Sequence, residues 1–484
     1  MRDTVTQQTL PRLTRRSAIP RPGIVHLGPG AFFRAFQAVY TQDAMEQTGG
    51  DWGIIAVSLR SPTARDQLIP QNCAYTAVTL GADKREYSQI ESIVDVLVAP
   101  EKPEAVITAM TDPDIRIVSL TITEKGYCLH AGKAALDLTQ PDIQHDIETP
   151  STPKSAPGFI VEALARRRAS GAPALTILSC DNLPSNGALA KAVVMDLARH
   201  RDAGLADWID ANITFPSTMV DRITPATTDD DVMAVSEALG AYDAACVLHE
   251  PFRQWVIEDN FADNFRPAWE TGGTQFVQSV DAHEHMKLRC LNGTHSTMAY
   301  LGCLLGLDTV KEAISDQRIL KLCQHLWRAE IVPSLAQPEG EDLGAYTKRL
   351  LERYENSNIH HLTAQIAQDG SQKLPQRILA PLFENIEAER PCKGLAFVFA
   401  VWICFLAEQT PVDPLRDSLV AITGADDPAQ EKVSAILRLI LDADAGVEIG
   451  SMDTAVRLIS DQLCRIEQQG IEAALEEFLA IVSR

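Results

Sequence analysis

GIVHLGPGAFFRAFQAVY, residues 23–40, passes from a β-prone run (Ile24–Leu27) through Gly28-Pro29-Gly30 into a helical pattern with Arg34 in its opening turns. Glycines between a strand and a helix let the backbone approach a phosphate, and the start of the helix offers free N–H groups and the positive end of a dipole. Gly28, Gly30, Ala31, Phe32 and Arg34 are therefore candidate cofactor contacts. The third glycine of G-x-G-x-x-G is missing, because Phe33 stands there. By itself such a motif also suits a plain turn.

The surroundings strengthen the reading as a nucleotide fold. WGIIAVSL, residues 52–59, reads as a second strand, where a dinucleotide fold commonly sets an acid for the adenosine ribose. Here the strand ends in Ser58-Leu59-Arg60-Ser61 without a carboxylate. NAD and NADP both stay open, and Arg60 is a further candidate contact. Runs at 115–122 (IRIVSLTI) and 175–178 (LTIL) alternate with helix-like stretches such as Gly158–Arg168. That alternation predicts an α/β unit, a Rossmann-type and mostly parallel sheet with helices on its faces.

In such sheets ligands sit beyond the carboxyl ends of the strands. Thr123-Glu124-Lys125-Gly126-Tyr127 and Ser179-Cys180-Asp181-Asn182-Leu183 follow two of the predicted strands, which singles out Glu124 and Asn182. Turn formation and helix capping are the plain alternative for such residues. Asp221 and Arg222 end another β-prone segment, where they could simply pair, and Pro251–Phe261 suggests one more strand.

From about residue 283 long amphipathic patterns take over, at 307–332, 342–354, 429–441 and 454–483, with an apolar run at 395–407. Two domains follow: 1–282, Rossmann-type, and 283–484, mostly α-helical. The helical part opens with EHMKLRCLNGTH, residues 284–295. At roughly 100° per residue, Glu284, Lys287, Asn292 and His295 would share an arc of about 140° on a largely apolar helix. Buried groups of this kind cost about 1–3 kcal/mol each without partners, so a hydrogen-bond network or an active site must use them. DGSQKLPQR, residues 369–377, reads as a loop between helices; if it faces a ligand, Lys373 and Arg377 supply positive charge for an anionic substrate.

Composition narrows the field. A net charge of −22 argues against nucleic acid and anionic membrane surfaces as partners. Ten scattered cysteines with no C-x-x-C pair point to a reducing, cytoplasmic setting. The run at 395–407 is shorter than a spanning helix needs and reads as a core helix. Residues 1–22 are polar and read as a leading arm. His283 with His285, and His360 with His361, lack the i, i+4 spacing of helical zinc ligands, so no metal site is expected. No G-x-S-x-G elbow is present.

What remains is a dinucleotide site with a lysine, amides and a histidine. Hydride transfer from a secondary alcohol needs a base for the hydroxyl proton, and a lysine in an apolar setting can serve. Asn182 and Asn292 would polarise the reacting oxygen. His295 would orient a neighbouring hydroxyl, and Glu284 would pair with Lys287 or pass its proton to water.

GPGAFFRAFQAVY, TEKGY, SCDN, TMVDRITP, PFRQWVIEDNF, KLRCLNGTHS and DGSQKLPQR, spread over residues 28–377, together resemble the polyol-specific long-chain dehydrogenase/reductase (mannitol dehydrogenase) family. The family's K, N, H pattern falls on Lys287, Asn292 and His295, its second oxyanion asparagine on Asn182, and its substrate-contacting aspartate on Asp221. The resemblance implies a zinc-independent, NAD-preferring enzyme with a Rossmann-type and a helical domain. Where the family often reads G-x-G-x-F-H-R-A-H-Q, this chain has Phe33 and Phe36 for both histidines.

DGSQKLPQR, with the TEKGYC and TPKSA stretches, is most similar to the branch that reduces hexuronates. The expected substrates are D-fructuronate and D-mannonate. Mannitol 2-dehydrogenase and tagaturonate reductase are the alternatives, and a nucleotide- or sugar-binding sensor is the alternative outside enzymes. The sequence carries no signature of an assembly, and a monomer satisfies it.

Overall fold

The computed structural model describes residues 10–130, 135–359, 361–409, 412–441 and 448–482. Residues 1–9 of the leading arm, His360 and Ser483 lie outside them. The chain divides into two compact units, Met1–Asp281 and Ala282–Arg484.

The first unit contains β1 (Pro22–Leu27), β2 (Gly53–Ser58), β3 (Tyr75–Leu80), β4 (Arg85–Ile90), β5 (Ile93–Val98), β6 (Ile117–Leu120), β7 (Thr176–Ser179), β8 (Thr218–Asp221), β9 (Val247–His249), β10 (Gln254–Glu258) and β11 (Gln275–Val277). Five of these form one sheet in the order β5-β2-β1-β6-β7, and every pairing in it is parallel. The order reverses between β1 and β6, which makes their carboxyl ends the switch point where such sheets bind ligands. The strands are rich in Ile, Val and Leu because both faces are covered. One face packs on the helices Pro103–Thr111, Ala156–Ser170 and Asn186–Arg201. The other packs on the helix Gln37–Thr48 and the buried Trp255 and Trp269.

Two small sheets complete this unit, β4-β3-β9 and β11-β10-β8. The leading arm docks onto the first unit: Leu13 donates its N–H to Tyr242 O, and Glu91 accepts the N–H groups of Arg16 and Ser17.

The second unit is helical among its described residues, apart from one isolated bridge between Thr309 and Leu362. The apolar run becomes the buried helix Lys393–Glu408. Glu330 receives that helix's start, accepting the N–H groups of Gly394 at 2.7 Å and Leu395 at 2.8 Å, as a carboxylate at a helix N-terminus should. Among the described residues no helix is long and apolar enough to cross a membrane.

Three expectations change. The pattern at 454–483 is two helices, Ile449–Gln469 and Ile471–Val482, divided at Gly470 with φ +83°. Residues 307–332 break at Asp316, which caps the helix Gln317–His325. DGSQKLPQR is not a loop: Gly370–Leu374 is α-helical and runs through a π-helical turn, Pro375–Leu379, into Ala380–Glu387.

Candidate active site

In the first unit the glycine turn is built around a buried histidine. Gly28 has φ +96°, and a Cβ there would lie 2.2 Å from Thr121 O. Only glycine permits that approach between the ends of β1 and β6. Gly28 O accepts from the Thr121 hydroxyl at 2.7 Å and lies 3.1 Å from His26 Nε2. His26 Nδ1 lies 2.8 Å from Ser119 Oγ, and its ring stacks on Phe33 at 3.6 Å. Burial holds this imidazole neutral, with its pKa lowered to about 3.

The turn's carbonyl therefore points inward. Gly30 precedes the helix Ala31–Ala35 with no side-chain cap, and a Cβ at Gly30 would meet nothing within 4 Å. Open N–H groups at Ala31 and Phe32, beside space left by a glycine, fit the pyrophosphate of a dinucleotide.

Phe33 and Phe36, the departures from the family pattern, are both fully buried. Phe36 packs on Trp255 at 5.6 Å and Phe32 at 4.9 Å. The Arg34 guanidinium is buried and donates to Ala245 O at 2.6 Å, because the side chain leaves the short helix on its inner face.

The turn after β6 holds an unusual backbone. Thr123 has φ +63°, which is rare for a β-branched residue. Asp181 fixes it, accepting Thr123 N–H at 2.8 Å, Ile122 N–H at 3.1 Å and the Tyr127 hydroxyl at 2.8 Å. Burial pushes the Asp181 carboxyl above its ordinary value. Sequence reasoning took Asn182 from this motif and missed Asp181 and His26; a charged or polar residue inside an apolar strand was the available signal. Glu124 and Asn182 are exposed, so Gly28, Glu124 and Asn182 follow the carboxyl ends of the adjacent parallel strands β1, β6 and β7.

Arg60 is exposed after β2, whereas Arg65 pairs with Asp66 and Glu101. Asp221 is buried at the end of β8. Arg222 donates to Ala35 O at 2.6 Å and Glu250 O at 3.3 Å, and burial lowers its pKa to about 10.

In the second unit Asp281–Met286 is α-helical, Lys287–Asn292 is one π-helical turn, and Gly293–Leu305 is α-helical again. An unbroken α-helix would set Lys287 and Asn292 about 140° apart. The i→i+5 register of a π turn stacks residues five apart, and His295 follows Asn292 by three residues, one α-turn on. The three side chains share a face more closely than α periodicity predicts.

A π turn frees backbone carbonyls, and neighbouring side chains take them. Cys290 O accepts from Trp327 Nε1 at 3.0 Å and Thr294 Oγ1 at 2.6 Å. Leu291 O accepts from the Tyr354 hydroxyl at 3.1 Å. Arg289, on another side of the helix, forms a two-pronged ion pair with Glu384 at 2.6 and 2.5 Å. Gly293 lets the second π turn approach: a Cβ there would be 3.2 Å from Arg377 O.

Lys287 is buried, Glu284 and Asn292 are half-buried, and the Asn292 amide makes no side-chain hydrogen bond among the described residues. His295 is buried, and its Nε2 has no hydrogen-bond partner there. Burial first, then nearby His361, Arg353, Arg377 and Lys287, holds His295 well below its ordinary pKa. Arg377 donates to Ser296 Oγ at 3.1 Å and has no ion pair among the described residues. Lys373 donates to Gln368 O at 2.6 Å and lies 3.9 Å from Asp369. No group of three or more His, Cys, Asp or Glu placed to hold a metal occurs among the described residues.

Residues 22–271 match the family described as mannitol dehydrogenase Rossmann domain, and residues 279–446 match mannitol dehydrogenase C-terminal domain. D-mannonate oxidoreductase of Escherichia coli (strain K12) is 44% identical over 465 residues, 93% of this chain and 95% of that protein. The solved structure of Pseudomonas fluorescens mannitol 2-dehydrogenase, a ternary complex with NAD and D-mannitol, is 36% identical, with a TM-score of 0.82 over 98% of this chain and 97% of that one. A substrate-free D-sorbitol dehydrogenase is 32% identical, with a TM-score of 0.87 over 96% of this chain and 98% of that one. Matched from end to end by such relatives, and carrying both domains, the chain belongs to the mannitol dehydrogenase family.

Proposed function

We propose that this chain is an NAD(H)-dependent, metal-independent oxidoreductase that interconverts D-fructuronate and D-mannonate. The observation that carries the reading is the π turn that brings Lys287, Asn292 and His295 to one helix face. NADH, when bound, supplies the hydride for reduction of the ketone, and NAD accepts it in the reverse direction. Gly28, Gly30, Ala31, Phe32, Glu124 and Arg60 would hold it. Arg34 completes the proposed set from the same helix, with its guanidinium donating to Ala245 O.

Lys287 is the general acid in reduction, giving an ammonium proton to the ketone oxygen as the carbon is reduced, and the general base in oxidation. Asn292 donates amide hydrogens to that oxygen as its negative charge grows, and Asn182 is the second oxyanion asparagine of this proposal. His295 orients the neighbouring hydroxyl, Glu284 relays the proton to water, and Asp221 binds substrate hydroxyls. Arg377, with Lys373 beside it, matches the substrate carboxylate.

A neutral polyol pair, D-mannitol and D-fructose, is the second reading, favoured by the full-length likeness to mannitol 2-dehydrogenase. Steady-state reduction of fructuronate, tagaturonate and fructose, each with NADH and NADPH, tests both. Fructuronate with NADH is expected to give the highest kcat/KM. A response to fructose alone would refute the hexuronate assignment, and a preference for NADPH would correct the cofactor.

A further inference from the structure

His361 lies in the second unit on the segment after the helix Leu343–Tyr354. Its backbone is pinned on both sides: its N–H donates to Ile359 O at 3.1 Å, and its carbonyl accepts Val310 N–H at 3.0 Å. Its ring meets His295 edge to face, with centroids 5.2 Å apart and planes at 83°. On the other side of His295 the Tyr354 ring lies 4.9 Å away.

Both imidazoles carry an orphan atom. His295 Nε2 and His361 Nδ1 are buried, and neither has a hydrogen-bond partner among the described residues. Buried polar atoms in native structures nearly always find partners, so two orphans on touching rings mark a place where a ligand completes the network.

The charges around the pair say which ligand. Among the groups that act most strongly on His295 are His361, Arg353, Arg377 and Lys287, each a cation or potential cation. Arg377 reaches the residue next to His295, donating to Ser296 Oγ at 3.1 Å. In a chain of net charge −22, this concentration of cationic groups is a local reversal. Such a cluster favours an anion.

We propose that His361 is a specificity-determining residue of the site, donating from Nδ1 to the carboxylate end of a sugar-acid substrate while His295 holds the adjoining hydroxyl. The inference rests on the hexuronate reading of the function. It adds to Arg377 and Lys373 a third group, brought by a separate segment, that distinguishes an acid from a neutral ketose.

The test uses the full-length enzyme with NADH, and the variants His361→Phe, which keeps a ring and removes both nitrogens, and His361→Asn, which keeps a donor near the Nδ1 position. Wild-type kinetics with D-fructuronate and D-fructose decide the functional reading first. His361→Phe is expected to raise KM for fructuronate by roughly ten- to a hundredfold, the loss of a hydrogen bond to a charged group. Its kcat for fructuronate and its KM for fructose should change far less, and His361→Asn should recover much of the fructuronate KM. Equal losses on both substrates would mean a merely structural role, and an unchanged KM would mean no contact; either overturns the proposal. If wild-type enzyme reduces fructose alone, the hexuronate reading falls and takes this inference with it. If wild-type enzyme prefers fructuronate and His361→Phe does too, only the inference falls.

Discussion

Trp327 donates its indole N–H to the carbonyl oxygen of Cys290 across 3.0 Å, and each residue lies in a π-helical turn of its own. The bond satisfies a carbonyl that the first turn frees, and so helps hold the register in which Lys287 and Asn292 stack. Trp327→Phe is expected to lower stability by about 1 kcal/mol and to reduce kcat while NADH affinity stays unchanged. Tyr354→Phe, which removes the donor to Leu291 O, should behave alike. Urea unfolding and steady-state kinetics read both quantities; lost stability with unaltered kcat would separate the π turn from the chemistry.

Lys287→Ala should lower kcat by orders of magnitude, since a general acid–base group contributes roughly a hundred- to ten-thousandfold. NADH binding, followed by fluorescence, should survive. Near-normal turnover would remove Lys287 from its proposed role.

The two glycines of the turn should fail differently. Gly28→Ala puts a Cβ against Thr121 O at a φ of +96°, so the folded protein should be strongly destabilised. At Gly30 a Cβ meets nothing within 4 Å and φ is −70°. Gly30→Ala is therefore expected to melt at the wild-type temperature yet bind NADH more weakly. Equal NADH affinity in Gly30→Ala would place the pyrophosphate elsewhere.

Arg377→Ala should raise KM for fructuronate more than Lys373→Ala does. Arg377 has no ion pair among the described residues, whereas Lys373 sits 3.9 Å from Asp369 and already donates to Gln368 O. Neither variant should change KM for fructose as strongly. Equal effects of both variants on acid and neutral substrates would argue against a carboxylate pocket.

Acid should weaken the first unit through its buried neutral histidines. Burial lowers His26 and His249 from 6.5 to about 3. Below about pH 6.5 the unfolded chain binds protons that the folded chain refuses, so stability is level above that value and falls as pH drops toward about 3, by up to about 1.4 kcal/mol per pH unit for each histidine. Unfolding free energies at pH 7.5 and 5.5 measure the slope. His26→Gln should be less stable at pH 7.5 and less sensitive to acid, and an unchanged slope would contradict the neutral buried state.

Much of this was legible in the chain. Runs such as IVHL and GIIAVS are apolar along their length, the mark of a strand covered on both faces, and they gave the parallel sheet its first members. The β3–β4 hairpin was passed over because REYSQI is exposed at most of its positions and carries no such run. Lys287, Asn292 and His295 stood out as polar groups in an apolar segment, but the π turn did not, because it depends on Trp327 and Tyr354, 37 and 63 residues beyond the carbonyls they meet. The setting of Arg34 was hidden for a related reason: its place near a glycine turn is local, whereas its partner, Ala245, lies 211 residues away.

That dependence on distant donors has a consequence for the order of folding. An isolated segment around 281–305 can gain ordinary α-helical turns by itself, but the i→i+5 turn within it leaves carbonyls open until Trp327 and Tyr354 have docked. During renaturation, helical circular dichroism should therefore return before turnover does, and the lag between them times the arrival of those two side chains.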